Sequence, residues 1–409
     1  MERPEKFVAD DGSVEYTGET ALDFPRASPA YAMTPSQELK MNSFTDQNPP
    51  LVGPLKGIRL VEFAGMGAAP FASMLLADLG AEIVRIERPE STEEPASPIA
   101  VRGRRRIRAN LKSPFDVARV MELTDQADGL IEAYRPGVME RVGLGPAELL
   151  ARNPKLVYGR LTGWGQRGPL AHSAAHDINY IAITGALAAI GSKERPIPPL
   201  NVWGDFAGGA LYLVMGMLAA ITAAQRTGLG DVIDAAMCDG SVSLMTAIME
   251  KTAEGKWREE REANVFDGGA PYYRTYECAD GRHVSIGSLE PAFFQQLCEL
   301  SGLKSSVAAS GRERPENWAA LHADMEECFR RKTRDEWTAI LEGTDVCYAP
   351  VLTLSEARWH RHLVARRVFV EEGGIVQPAP TPQFSTGELP VRPVDLAPLD
   401  IASFEGFVS

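Results

Sequence analysis

The feature that most restricts the fold is a strand, a helix and a second strand following one another between residues 55 and 87. Apolar and β-branched residues predict the first strand at 55–63. A Gly-rich turn then leads into a helix predicted at 71–80, and a second strand is predicted at 81–87. Two strands joined by a helix form a right-handed parallel unit, so the chain is restricted to α/β folds.

The same alternation continues beyond this unit. A helix is predicted from Pro114, and further strands are predicted at 129–136 and 156–165. Strands that alternate with helices favour a parallel, doubly wound sheet, so we predict an α/β fold with a Rossmann-like large domain. Ligands of such sheets bind beyond the carboxyl ends of the strands, which is where the segment after residue 165 emerges.

Length and composition restrict the organisation and the partners. A chain of 409 residues is too long for one ordinary core, which predicts two domains with appendages. The net charge of -13 argues against a nucleic-acid partner. An anionic ligand would therefore need a local basic patch.

Composition along the chain suggests the domain boundaries. Residues 1–50 are polar, acidic and Pro-dotted, and we expect an extended or disordered N-terminal extension. Residues 51–253 form the predicted large domain, completed by about 352–409, and residues 254–351 form a linker and a smaller α+β domain. A hairpin turning at Asp280-Gly281 and a helix opening at Pro291 belong to that smaller domain.

The five cysteines are widely spaced, without a metal-ligand pattern. This distribution predicts free thiols in a reducing compartment and no metal site. The first residues lack the apolar run of a signal peptide, so we expect a cytoplasmic protein. The apolar segment 207–224 approaches membrane-spanning length, but its Ala and Gly content favours a buried core helix and no membrane partner.

Residues 102–112 concentrate five arginines and one lysine in an otherwise acidic chain. Arginine matches phosphate geometry well, so this run is a candidate site for a phosphorylated ligand. Arg135 and Arg141 add positive charge nearby in sequence. The alternative is that the run is an ordinary solvated face.

The segment 174–209 contains a His-Asp pair and an isolated aspartate among largely uncharged residues. Asp205 precedes the apolar segment and is predicted at or near the N-cap of its helix. We interpret His176 and Asp205 as a pair of proton-transfer groups. The alternatives are a capping aspartate without other function and a structural histidine.

In combination, several motifs resemble the family III CoA-transferase (CaiB/BaiF-like) superfamily, and within it the racemases of 2-methylacyl-CoA thioesters. The resemblance covers roughly residues 55–400, and the N-terminal extension departs from it. The matching residues are 57–63, 77–89, 135–145, 159–166, 176–180, 205–209, 276–281 and 345–351.

The resemblance implies an interlocked homodimer whose subunits each have a large and a small domain. It implies that the substrate is an acyl-CoA thioester of lipid metabolism, with no cofactor beyond its CoA moiety. The residues that would hold CoA are Arg88, Lys112, Arg135 and Arg141, with Ala109 and Leu111 at the adenine end.

In the racemases of this family, the residues matching His176 and Asp205 are the catalytic bases. Glu290 matches a glutamate that the other subunit places near the histidine, and Asp177 and Tyr180 match positions close to the thioester. Removing the α-proton creates an enolate, which backbone donors such as those of Gly208-Gly209 could stabilise. A histidine with an ordinary pKa of about 6.5 and an aspartate at about 3.9 suit two-base transfer.

Two other functions stay open. Transferases of the family would use Asp205 as a nucleophile and form a mixed anhydride, which needs no histidine at position 176. A CoA-binding protein without catalysis would keep the arginines alone. The histidine favours racemisation.

Overall fold

The computed structural model describes residues 6–8, 14–16, 53–91, 97–305 and 311–407. The chain divides into two compact units. The smaller unit, Met1–Phe44 with Leu352–Arg366, contains the antiparallel hairpin of β1 (Lys6–Val8) and β2 (Val14–Tyr16). The rest of the predicted N-terminal extension lies outside the described residues.

The larger unit contains all the other described strands. They are β3 (Arg59–Phe63), β4 (Glu82–Glu87), β5 (Arg104–Arg108), β6 (Gly129–Glu132), β7 (Val157–Thr162), β8 (Val232–Ala236), β9 (Tyr273–Glu277), β10 (His283–Gly287), β11 (Tyr348–Pro350), β12 (Phe369–Glu372), β13 (Ile375–Pro378) and β14 (Leu399–Asp400).

The described α-helices alternate with these strands in the first half of the chain. They are α1 (Ala68–Asp78), α2 (Pro98–Val101), α3 (Pro114–Thr124), α4 (Val138–Arg141), α5 (Pro146–Arg152), α6 (Asp177–Ala182), α7 (Ala186–Ala189), α8 (Leu211–Thr227), α9 (Met237–Leu244), α10 (Thr246–Ala253), α11 (Pro291–Ser301), α12 (Trp318–Phe329), α13 (Arg334–Leu341), and, in the smaller unit, α14 (Leu354–Ala357) and α15 (Arg361–Ala365).

Seven parallel strands form one sheet in the order β14-β5-β4-β3-β6-β7-β8. The chain builds outward from β3 to β5 and then returns to build β6 to β8 on the other side. The strand order therefore reverses between β3 and β6, and a doubly wound sheet opens a ligand crevice at such a reversal. The predicted α/β fold with a parallel sheet is confirmed.

Apolar residues cover both faces of this sheet. On one face, α1 and α8 pack against β3 through Leu60, Leu76 and Met217. On the other face, α3 packs together with Phe404 and Phe407 from the C-terminal segment. Because both faces of the sheet are buried, most of these strands are largely continuous apolar runs in the sequence and do not alternate between apolar and polar residues.

Helix α1 begins earlier than the sequence predicted, at Ala68 instead of residue 71. Pro70 is accommodated because the first turn of a helix needs no intrahelical N–H donors. The helix ends before Gly80, whose φ of 110° lies in the range that favours glycine. The strand–helix–strand unit is otherwise as predicted.

The arginine run is not a solvated face, and its central residues are not a phosphate site. Arg102, Arg104 and Arg106 are buried, each 2% exposed or less. Arg102 pairs with Asp78 at 2.5 Å, Arg104 with Glu62 at 3.0 Å, and Arg106 with Glu87 at 2.9 Å. Both interpretations were wrong for these three arginines, because carboxylates from β3, β4 and α1 neutralise the guanidinium groups inside the protein.

The apolar segment 207–224, predicted as a buried core helix, differs from that prediction in its geometry and in its burial. A π-helical turn, Trp203–Ala210, precedes α8, and only one face of α8 is buried. Leu211 and Met215 are 48% and 59% exposed. Leu200–Thr227 is long and apolar enough to cross a membrane by length and composition alone, although its inner face packs on the sheet.

Residues beyond 270 build a second, antiparallel sheet in the order β11-β10-β9. It has its own core, in which Tyr276, Val284 and Trp337 are buried. The β9–β10 hairpin turns at the predicted Asp280-Gly281, where Gly281 has a φ of 72°. Helix α11 begins at the predicted Pro291 with Glu290 as its N-cap.

Candidate active site

A cavity of about 560 Å³, the His176 cavity, opens beyond the carboxyl ends of β3, β6 and β7. Its walls include the residues that directly follow those strands. Both His176 and Asp205 line it. The structure therefore brings the two groups singled out in the sequence into one cavity at the point where the strand order reverses.

His176 stands at the N-cap of α6. Its backbone N–H donates to Oδ1 of Asn179 at 3.1 Å, and the N–H of Asn179 donates to the carbonyl of His176 at 2.8 Å. These reciprocal bonds fix the backbone from which the imidazole projects. The side chain itself is exposed and faces the cavity.

Asp205 is not a simple N-cap, because it lies within the π-helical turn that precedes α8. Its Oδ2 accepts a hydrogen bond from Nδ2 of Asn201 at 3.2 Å. Partial burial raises the pKa of Asp205 and the nearby charge of Asp177 adds to this, while the Asn201 bond and His176 oppose it. The carboxyl group thus holds a proton more readily than an exposed aspartate does.

Asp177 is buried and is not part of the cavity wall. Its Oδ2 accepts from the backbone N–H groups of Gly204 at 2.8 Å and Asp205 at 2.7 Å. A Cβ added at Gly204 would lie 2.7 Å from that same oxygen, so only glycine allows this approach. In this geometry the carboxylate of Asp177 holds the turn that carries Asp205.

Tyr180 forms part of the wall through its ring. Its hydroxyl donates to the carbonyl of Ala175 at 2.6 Å, and its ring meets Trp164 edge to face at 4.9 Å. A Cβ at Gly163 would come within 1.9 Å of the ring, so a glycine is needed there. The aromatic pair therefore provides a fixed apolar surface.

A second cavity of about 790 Å³, the Lys112 cavity, adjoins the first. It contains Arg88, Lys112 and Arg135 together with the apolar Ala109 and Leu111. Tyr134 and Arg135 line both cavities. Two cavities that share wall residues, one of them lined by three cationic side chains, suit an extended ligand with an anionic end.

Besides Asp177, two predicted residues lie outside both of these cavities. Arg141 packs beside Gly137, whose added Cβ would lie 3.4 Å from the guanidinium. Glu290 caps α11 and influences the thiol of Cys347, whose pKa is raised by burial and then by this carboxylate. The described chain does not bring Glu290 to His176.

Sequence reasoning missed the supporting residues of the site. Asn201 lies four residues before Asp205, a helical spacing that could have identified it. Asn179 three residues after His176 is a capping-box spacing, but with Asn in place of Glu or Gln. No pattern in the sequence indicated Tyr134. Its place in the site becomes visible only in the folded chain, where it lines both cavities.

The family model that describes CoA-transferase family III sequences matches residues 55–399 of this chain. The chain belongs to CoA-transferase family III. Among its relatives, the alpha-methylacyl-CoA racemase of Mus musculus is 41% identical over 333 residues, 81% of this chain and 86% of that protein. The alpha-methylacyl-CoA racemase of Homo sapiens is 40% identical over 330 residues, covering 80% and 86%.

Solved structures agree with this family membership. A crystal structure of a CAIB/BAIF family protein from Brucella suis superposes with a TM-score of 0.73 at 28% identity. The match covers 84% of this chain and 96% of that one. The family fold therefore extends over most of the chain.

Proposed function

We propose that this member of CoA-transferase family III racemises 2-methylacyl-CoA thioesters by moving the proton on the α-carbon from one face to the other. The observation that carries the proposal is that His176 and Asp205 line one cavity. The relatives named alpha-methylacyl-CoA racemase, 41% and 40% identical, support the same activity. The protein is accordingly an isomerase.

In this proposal the CoA moiety occupies the Lys112 cavity. Arg88, Lys112 and Arg135 pair with its phosphates, and Ala109 and Leu111 contact the adenine. The pantetheine arm passes Tyr134 and delivers the thioester to the His176 cavity. CoA is part of the substrate, and the proposal includes no further cofactor and no metal.

The chemistry needs a base on one side of the α-carbon and an acid on the other. One of His176 and Asp205 removes the proton, and the other returns a proton to the opposite face. The raised pKa of Asp205 lets this carboxyl group hold a proton more readily than an exposed aspartate does, which suits it to return a proton as well as to remove one.

The enolate oxygen also needs hydrogen-bond donors. Gly208 and Gly209 are buried and do not line the cavity, so they are unsuited to this role. Helix α1 begins at the cavity with Gly67, Ala68 and Ala69 in its wall. The first N–H groups of a helix have no intrahelical partners, so we assign enolate stabilisation to this helix end.

We further propose a cytoplasmic homodimer in which residues 254–351 form a small domain beside the large one, with Glu290 reaching the partner's site. Support comes from large apolar side chains that are exposed on and near α8 to α10. Burial of such side chains between two subunits would remove apolar surface from water. These side chains are Ile183, Leu200, Leu211, Met215, Val242 and Met249.

The test is incubation of the protein with one epimer of a 2-methylacyl-CoA in deuterated water. A racemase incorporates deuterium at the α-carbon and epimerises the substrate without an acceptor acid. A transferase forms a new thioester only when a second carboxylic acid is added, and a CoA-binding protein does neither. Lack of exchange by the folded protein across a range of 2-methylacyl-CoA chains would refute the proposal.

A further inference from the structure

We propose that Arg160 is a positioning residue that fixes the wall between the two cavities by bridging Glu132 and Glu140. The inference rests on the proposed use of the Lys112 cavity for CoA. Neither Arg160 nor Glu140 lines either cavity. Residues of 134–142 line the Lys112 cavity, so an effect of this bridge on a ligand there acts through that segment.

The first arm of the bridge joins two adjacent strands where they end. Glu132 and Arg160 are register partners at the carboxyl ends of β6 and β7. Nε of Arg160 donates to Oε1 of Glu132 at 2.8 Å, and the two side chains are 7% and 0% exposed. This pair is removed from water, so its geometry is less free to vary than that of a surface pair.

The second oxygen of Glu132 connects the bridge to the shared wall. Oε2 accepts the backbone N–H of Tyr134 at 2.6 Å. The hydroxyl of Tyr134 donates to the carbonyl of Ala64 at 3.2 Å, just after β3. Tyr134 lines both cavities, so Glu132 holds the residue at their junction.

The second arm reaches α4. The two terminal nitrogens of Arg160 donate to the two carboxylate oxygens of Glu140 at 2.7 and 3.3 Å. On the same short helix, Val138 and Met139 line the Lys112 cavity. One guanidinium thus holds both the beginning of the segment, through Glu132, and the helix that follows it.

This bridge depends on the shape of arginine. A planar guanidinium offers donors in a fixed fork and can serve two carboxylates at once, whereas the ammonium of lysine is a single point charge. Binding is weaker when a ligand must first order a loose segment, so loosening this segment should lower the affinity for CoA.

The experiment measures the affinity of free CoA by calorimetry, with kcat and KM for the acyl-CoA, in Glu140→Gln and Arg160→Lys. Glu140 is the partly exposed end of the bridge, so its variant keeps the buried pair intact. We expect each variant to weaken CoA binding about tenfold and to raise KM similarly, with kcat changed less than about threefold.

The matched control is Asp125→Asn, which breaks the surface ion pair of Asp125 with Arg152 away from both cavities. It should change the affinity for CoA less than about twofold. A purely structural role would lower the melting temperature of the bridge variants and leave CoA affinity within twofold of the wild type, which would overturn the inference. If Arg160→Lys does not fold, the affinity of Glu140→Gln for free CoA decides whether the inference holds.

The measurement also separates this inference from the proposed function. Binding of free CoA requires no turnover, whereas the deuterium-exchange experiment requires no variant. A wild-type protein that binds CoA but does not exchange refutes the racemase proposal alone. A wild-type protein that exchanges, with unchanged CoA affinity in both bridge variants, refutes the positioning role alone.

Discussion

The carboxylate of Asp177 accepts the backbone N–H of Asp205 at 2.7 Å, across 28 positions of sequence. Because His176 directly precedes Asp177, one buried side chain connects the segment that carries the imidazole with the turn that carries the carboxyl group of Asp205. The relative placement of His176 and Asp205 therefore depends on a residue that is not in the cavity wall.

We predict that Asp177→Ala lowers activity at least about a hundredfold and lowers the free energy of unfolding by roughly 2–4 kcal/mol, since two buried N–H groups lose their acceptor. Asp177→Asn retains an acceptor oxygen and should stay within about tenfold of the wild-type rate. Kinetics and chemical denaturation check both. An asparagine variant as inactive as the alanine variant would show that the carboxylate itself takes part in the chemistry.

Removing either proposed acid–base group should abolish most of the activity. For His176→Ala and Asp205→Ala we expect at least a roughly hundredfold loss of α-proton exchange, the usual contribution of a general acid or base. His172→Ala is the matched control, because His172 is exposed and outside the cavity wall. Near-full exchange by either site variant would contradict its assigned role.

The raised pKa of Asp205, caused mainly by burial, predicts a cost in stability. A carboxyl group with a higher pKa in the folded state binds its proton more tightly when folded. Stability therefore falls as the pH rises from its unfolded pKa, about 4, through its folded pKa. Asp205→Asn should melt at a higher temperature than the wild type at pH 7, and this difference should shrink as the pH approaches about 4.

The measurement is the melting temperature of both proteins at several pH values. Asp231→Asn serves as the control, because Asp231 is an exposed aspartate. An unchanged or lower melting temperature of Asp205→Asn at pH 7 would contradict the argument from burial.

Arg135 and Arg141 were both predicted to hold CoA, but only Arg135 lines the two cavities. We predict that Arg135→Ala raises KM for the acyl-CoA about tenfold or more. The difference in KM between this variant and the wild type should be smaller at high salt, because the lost interaction is electrostatic. Arg141→Ala should change KM less than about threefold. Steady-state kinetics at two ionic strengths tests both expectations. Equal changes in KM for the two variants would refute the proposal that Arg135, and not Arg141, contacts CoA.

The exposed apolar group on α8 to α10 predicts self-association through this surface. Met215→Glu should shift sedimentation from dimer towards monomer, because a charge in an apolar interface is costly to desolvate. Phe115→Glu is a close control, since Phe115 is also 59% exposed but lies on α3, which packs on the opposite face of the sheet. A monomeric wild type, or a dimer unaffected by Met215→Glu, would contradict the proposal.

Much of the site followed from local patterns in the sequence. The alternation of strands and helices predicted the parallel sheet, and parallel strands end at a common edge. The segment after residue 165 was therefore expected at that edge, and His176 lines a cavity there together with residues that follow β3, β6 and β7. The match of His176 and Asp205 to family motifs supplied the chemical interpretation.

Other features could not be predicted because they depend on partners distant in sequence. The burial of Arg104 is possible only because Glu62, on the strand beyond the neighbouring one, neutralises it. The role of Asp177 depends on two backbone N–H groups more than 25 positions away. No local pattern shows which charge a side chain will meet.

The sequence by itself determined most of the alternation of strands and helices, the edge of the sheet at which the His176 cavity opens, and the presence of an imidazole and a carboxylate near that edge. These follow from the periodicity of apolar residues and from turn chemistry, which act over a few positions. Only the tertiary structure decided which charges are neutralised inside the protein, which face of α8 is left exposed and which aspartate lines the cavity. Those outcomes depend on contacts between segments that the folded chain alone brings together.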